Sequence, residues 1–119
     1  MRALVTGDEG YIGGNFVKKW EERGHDWVGY DMKGNHEFDL SRGVKELYIN
    51  HINKPIDVVV HFAAIPRVAF SVEQPAYVMK NNIVSTTNVL NWARRNKIPV
   101  IYSSSSSVVG NGNGPASPY

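Results

Sequence analysis

The stretch Thr6-Gly7-Asp8-Glu9-Gly10-Tyr11-Ile12-Gly13 places three glycines at a spacing of three residues, directly after the apolar run Ala3–Val5. At a strand-to-helix turn each such glycine has its own physical reason. One permits the tight turn, one lets backbone approach a pyrophosphate, and one lets the helix pack close to the strand. The helix that follows would offer unpaired N–H groups and the positive end of its dipole to phosphates. An ordinary tight βα turn uses glycine in the same way, so the spacing alone leaves both readings open. Asp31 sharpens it. It closes a second apolar run, Trp27–Tyr30, 18 residues beyond Gly13, near the separation at which an acid meets an adenosine ribose. A carboxylate accepts hydrogen bonds from both ribose hydroxyls and repels a 2′-phosphate, which predicts NAD over NADP. On residue type alone, Asp31 also fits a plain strand-end residue, the lesser reading beside the three glycines. Asp8 and Glu9 act against an anion: each would repel a pyrophosphate by about 1 kcal/mol across some 4 Å of water. With these side chains pointing outward, the turn is competent but weaker.

The elements that must position these residues follow from hydrophobic periodicity. Ala3–Val5 reads as a short buried strand. From Tyr11 to Arg23, Ile12, Phe16, Val17 and Trp20 recur at helical spacing, opposite Lys18, Lys19, Glu21 and Glu22, and Gly24 closes the helix. Trp27–Tyr30 is the second strand. A short extended piece is expected near His36–Phe38, and Ser41 is the expected N-cap of a helix to about Asn50. Val58-Val59-Val60-His61-Phe62 is the most apolar strand, as suits a parallel strand covered on both faces. Pro75 should begin one long helix to about Asn96, with Arg94, Arg95 and Lys97 at its negative end. Pro99 to Ser103 is the last strand, and Gly110–Pro118 a loop. Alternating strands and helices predict an α/β fold: a doubly wound parallel sheet of about five strands in an αβα sandwich.

Composition excludes several classes. The 119 residues suit one domain, with 13 Lys and Arg against 11 Asp and Glu and a formal net charge of +2. The one dense basic cluster is Arg94, Arg95 and Lys97, so no nucleic-acid partner is expected. The absence of cysteine removes disulfide scaffolds and Cys-based metal sites. His25, His36 and His51 lack metal-ligand spacing, so they are expected at the surface and no metal site is expected. Apolar runs are far shorter than the roughly 18 residues that span a bilayer. The N-terminal run breaks at Thr6, too early for a signal peptide. A cytoplasmic domain is the expectation. Ser103–Ser107 is the one low-complexity run.

Further along, His61-Phe62-Ala63-Ala64, Phe38-Asp39-Leu40, and Pro75, Tyr77, Asn82, Thr86, Asn88, Val89 and Leu90 complete a set of motifs in order. Together with TGDEGYIG and GHDWVGYD, they resemble the extended short-chain dehydrogenases/reductases, in particular the NAD-dependent nucleotide-sugar epimerases and dehydratases. The resemblance implies a Rossmann-type domain over residues 1–119, incomplete at its C-terminal end and without the substrate domain. It implies cofactor contacts from Gly7, Gly10, Tyr11, Ile12, Gly13, Asp31, Asp39, Leu40, Phe62, Ala63, Ala64 and Asn82. On residue type alone, Asp39 also fits a turn and His61 a satisfied core histidine. Asn82, disfavoured inside a helix, fits either a cofactor-facing group or a buried structural hydrogen bond.

The serine run Tyr102 to Gly110 resembles the family's strand end and places its catalytic serine on Ser105. Dehydratases carry an acidic pair next, where this chain has Ser106 and Ser107, which disfavours dehydration. Ser117-Pro118-Tyr119 resembles the opening of the Tyr-x-x-x-Lys motif, with Tyr119 as the base, while the lysine lies past the last residue. Tyr119 could also be only a loop residue. The reading is a truncated nucleotide-sugar epimerase that binds NAD(H), with turnover by this chain alone not expected. A nucleotide sugar would be a partner if another chain completes the site. The alternative is a non-catalytic regulator or partner subunit. The 75–96 helix would then pair with a second copy or with a full-length relative.

Overall fold

The computed structural model describes residues 1–33, 38–46, 49, 54–66 and 68–105. The described residues form a parallel four-stranded sheet in the order β2-β1-β3-β4, with β1 at Arg2–Thr6, β2 at Asp26–Tyr30, β3 at Val58–His61 and β4 at Val100–Tyr102. Burial explains the order. β1 and β3 are buried along Ala3–Thr6 and Val58–His61 and take the two central places, where both faces are covered.

Alternate side chains divide the core into two halves. Ala3, Val5, Val58 and Val60 face helix α1 (Tyr11–Glu22) and meet Phe16, Val17 and Trp20. Leu4, Val28, Tyr30 and Val59 face the other way and meet Leu40, Val89, Trp92 and Ala93. The last three belong to helix α4 (Ser85–Arg95). Two short helices precede α4: α2 at Val68–Glu73, and α3 at Pro75–Met79 with the proline in its first turn. The result is the expected sandwich of helices on both faces of a doubly wound sheet.

Several local expectations need correction. Four of the expected strands are present among the described residues, and the fifth, the extended piece near His36–Phe38, falls mostly outside them. The cap at the next element is Asp39, not Ser41. Asp39 Oδ1 accepts from Ser41 N at 3.0 Å and from Ser41 Oγ at 2.7 Å, starting a 3-10 turn at Leu40–Arg42. The helix expected to run on to Asn50 lies partly outside the described residues. The long 75–96 helix is not one regular α-helix: a π-helical turn at Lys80–Val84 separates α3 from α4. Helix α2 was not foreseen. His25 is half-buried: its ring packs on Trp20 with centroids 4.4 Å apart. His36 and His51 lie outside the described residues.

Candidate functional site

The sheet changes direction of growth between β1 and β3: the chain passes from β1 outward to β2, then returns to the other side as β3 and β4. In open parallel sheets such a reversal leaves a crevice at the C-terminal strand ends. A cleft of about 150 Å³ lies there, lined by Gly7, Gly10, Asp31, Asp39, Leu40, Phe62, Ala63 and Ala64, with Tyr30, Met32, Phe38, Ile65, Asn81 and Ser85. A larger cavity of about 570 Å³ opens at the opposite edge, between Ile49, Lys54, Trp92 and Ile98. That cavity borders residues outside those described and gathers none of the glycines or carboxylates, so the smaller cleft is the chemically organised one.

The glycines of the turn differ in what requires them. Gly7 has φ +73°, and a Cβ there would lie 2.9 Å from Ala63 N and 3.0 Å from the Phe62 carbonyl carbon. It therefore serves both the left-handed backbone and the close approach of β1 to β3. A Cβ on Gly13 would collide with the Gly7 carbonyl, so Gly13 is where α1 seats on the turn. Gly10 is the exposed N-cap of α1 and provides no side-chain cap. The first-turn N–H groups thus have no side-chain cap, as anion binding at a helix start requires. Tyr11 and Ile12 are exposed in that first turn.

Asp31 stands at the end of β2 and ties it to the turn. Its Oδ2 accepts from Glu9 N at 3.0 Å and its Oδ1 from Lys33 N at 2.9 Å. Each oxygen keeps a lone pair for a further donor. Glu9 is exposed, as expected, but Asp8 turns inward against Gly29, in the space a Cβ at Gly29 would occupy. This corrects the expectation that both acids point outward. Burial raises the Asp8 pKa above its usual range, with the Asp31 and Glu9 charges adding to the rise.

The wall formed by Phe62, Ala63, Ala64 and Ile65 is held from two sides. Thr6 Oγ1 accepts from Phe62 N at 3.2 Å and from Ala63 N at 3.1 Å. With both lone pairs used, its proton goes to His61 Nδ1, 2.6 Å away. That assigns the His61 proton to Nε2, which donates to Thr86 Oγ1 at 2.9 Å. His61 is therefore a buried, neutral, fully partnered imidazole, and burial holds its pKa below the ordinary value. From the π turn, Asn82 Oδ1 accepts from Ile65 N at 2.8 Å and Asn82 Nδ2 donates to Ile65 O at 3.2 Å. Asn88 Nδ2 donates to Leu40 O at 2.7 Å, holding the 3-10 turn that carries Asp39. Thr86, Asn82 and Asn88 thus each fasten one segment of the cleft to the same helical stretch.

The structure brings together the glycine turn, Asp31, Asp39, Leu40 and the Phe62–Ala64 wall. Asn82 stands beside them, and both ends of its amide are engaged by Ile65 backbone. Ser105 is exposed three residues past β4, at the same edge of the sheet, and Tyr119 lies outside the described residues. Thr6, Asn81 and Ser85 were missed in the sequence, where nothing separates a buried strand-end threonine or a helix-face serine from core filler.

Residues 3–119 match the model of a family described as the NAD dependent epimerase/dehydratase family. The chain is 32% identical over 131 residues to Protein CapI of Staphylococcus aureus, covering 92% of this chain and 39% of that protein. A solved UDP-galactose 4-epimerase superposes with a TM-score of 0.74 at 36% identity, covering 96% of this chain and 41% of the other. UDP-glucose 4-epimerase from Bifidobacterium longum, solved in complex with NAD+ and UDP, gives a TM-score of 0.78 at 26% identity, covering 92% and 38%. The chain spans about 40% of the length of these proteins.

Proposed function

The chain belongs to the NAD dependent epimerase/dehydratase family, and on that premise we propose that residues 1–119 form its dinucleotide-binding part and take NAD in preference to NADP. The observation that carries the reading is the cleft itself. Gly7 and Gly13 sit where a Cβ has no room, the start of α1 has no side-chain cap, and Asp31 stands beside both. The pyrophosphate would lie over Gly10, Tyr11, Ile12 and Gly13, where N–H groups and the helix dipole favour negative charge. Asp31 would accept from the adenosine ribose hydroxyls and repel a 2′-phosphate. Asp39 and Leu40 would border the adenine. Ala63 and Ala64 give a wall with little side-chain bulk, with the Phe62 ring packed on Phe16, and Asn82 keeps that wall in place. NAD bound here supplies a reversible hydride acceptor.

Two of these proteins are named as UDP-galactose 4-epimerase and UDP-glucose 4-epimerase, and the proposed activity of the complete site is epimerisation of a nucleotide sugar. Ser105 would hydrogen-bond the sugar oxygen, and Tyr119 would take and return its proton. Residues 1–119 correspond to about 40% of those relatives, so binding is what we assign to them. Conversion is assigned only to an assembly that also holds the sugar. A second reading, as a partner subunit, is favoured by one observation: Tyr77, Met79, Ile83 and Leu90 are exposed along the 75–95 helical stretch. Apolar side chains so placed would pair with a second copy or with a longer relative. No helix among the described residues is long and apolar enough to cross a membrane, and with no cysteine in the chain a cytoplasmic setting fits.

The test is an NMR titration of the full chain with NAD+. Amide shifts should concentrate at residues 7–13, 31 and 62–65. Saturable shifts centred elsewhere, for instance at Lys54 and Trp92 around the larger cavity, would refute the assignment.

A further inference from the structure

Asp8 is a carboxylate set inside the turn where a phosphate-binding loop needs positive potential. It is only partly exposed, whereas Glu9 is exposed. Its carboxyl fills the space left by the missing side chain of Gly29 on β2. Its Oδ1 is buried without a hydrogen-bond partner among the described residues. An ionised carboxylate with an unpartnered buried oxygen is costly, whereas the neutral acid loses far less there. We propose that Asp8 couples occupancy of the glycine turn to a proton: a dinucleotide pyrophosphate settles on the loop as Asp8 takes up a proton from solvent, and leaves more readily when Asp8 is ionised. This rests on the cleft being a dinucleotide site.

Burial and the neighbouring charged side chains push in one direction. The charged side chains that act on Asp8 are Asp31 at the end of β2 and Glu9 in the turn, and both are acidic. Backbone N–H groups of Asp8 and Tyr30 offset part of this, while burial is the largest cause and raises the pKa. The first turn of α1 brings no acid, and Tyr11 is its one ionisable side chain. Lys33 is exposed beyond Asp31. His61 on β3 faces Thr86, on the α4 side of the sheet, whereas Gly29 alternates with Val28 and Tyr30 and faces α1. An incoming pyrophosphate adds negative charge to a group already disfavoured as an anion, so the proton is bound more tightly in the complex than in the free protein. By linkage, affinity then rises as pH falls through the range in which free Asp8 ionises. Protonation of His61 would act with the opposite sign, breaking the Thr6 bond that holds the cleft wall.

The experiment is calorimetric titration of the full chain with NAD+ at pH 5.5, 6.5 and 8.0, in two buffers of different ionisation enthalpy, on wild type and Asp8→Asn. Wild type should bind roughly tenfold more tightly at pH 5.5 than at pH 8.0, with net proton uptake. Asp8→Asn keeps the shape without the charge. It should bind at pH 8.0 roughly tenfold more tightly than wild type and lose the pH dependence. Binding by Asp8→Asn alone would also support the coupling. Equal affinity across pH with no proton uptake, or wild-type pH dependence retained in Asp8→Asn, would overturn it. No binding by either protein at any pH would instead overturn the cleft assignment, and the coupling with it. A carbon-13 titration of the Asp8 carboxyl in ligand-free protein is the independent check, since an ordinary aspartate midpoint there would contradict the buried, acid-surrounded setting.

Discussion

Gly7→Ala, compared with Gly24→Ala, isolates the contact on which the cleft depends. Both glycines have left-handed backbone, with φ of +73° and +80°. The strain of placing an alanine there is about 1–2 kcal/mol in each case, offset by about 0.4–1 kcal/mol from the stiffer unfolded chain. They differ in surroundings. A Cβ at Gly24 meets nothing within 4 Å, whereas at Gly7 it would lie 2.9 Å from Ala63 N and 3.0 Å from the Phe62 carbonyl carbon. Both obstacles are backbone, in a segment fixed by Thr6 and Asn82, so relief requires moving the cleft wall. Overpacking of that kind costs about 1–3 kcal/mol. Gly7→Ala should therefore lose about 1.5–4.5 kcal/mol and Gly24→Ala about 0.5–1.5 kcal/mol. Urea unfolding reads the difference as a midpoint separation of roughly 0.7–2 M, for a slope of about 1.5 kcal/mol/M. Coincident unfolding curves for the two variants would refute the claim that β1 and β3 meet at Gly7 without room for a side chain.

Asn82→Ala strands both polar groups of Ile65 and should cost about 1–3 kcal/mol, with faster amide exchange at Ile65 as the local readout; unchanged exchange there would count against the clamp. His61 is neutral in the fold and its pKa is lowered by burial, so the unfolded chain binds more protons once pH falls below about 6.5. Thermal stability should decline below that pH, and His61→Gln should flatten the decline; a wild-type-like slope in the variant would remove His61 as its source. Ile83→Glu, placed in the exposed apolar stretch, should shift sedimentation toward monomer if that face pairs copies, and an unaltered oligomer would place the interface elsewhere.

The parts of the fold legible in sequence were those with a strong local signature. Continuous apolar runs marked β1 and β3, the 3.6-residue period marked α1, and Pro75 marked a helix start. That the glycine turn and Asp31 meet at one cleft was legible because glycine spacing and an acid at a strand end reflect backbone chemistry. The π turn was not legible, since one extra residue in a helical turn leaves apolar periodicity almost intact. Nor was the orientation of Asp8, which depends on Gly29 lying opposite it across 21 residues of sequence. His61 illustrates the same limit. Its type allowed a core or a ligand-facing role, and only the Thr6 and Thr86 hydroxyls decide for the core.

The most direct test of the central claim is the relative affinity for NAD+ and NADP+ of the full chain, measured by calorimetry at pH 6.5 with Asp31→Ala alongside. The account predicts that NAD+ binds more tightly than NADP+ and that Asp31→Ala loses most of that difference, because the carboxylate would both accept from the ribose hydroxyls and repel a 2′-phosphate. Equal affinities in the wild-type protein, or tighter binding of NADP+, would contradict it.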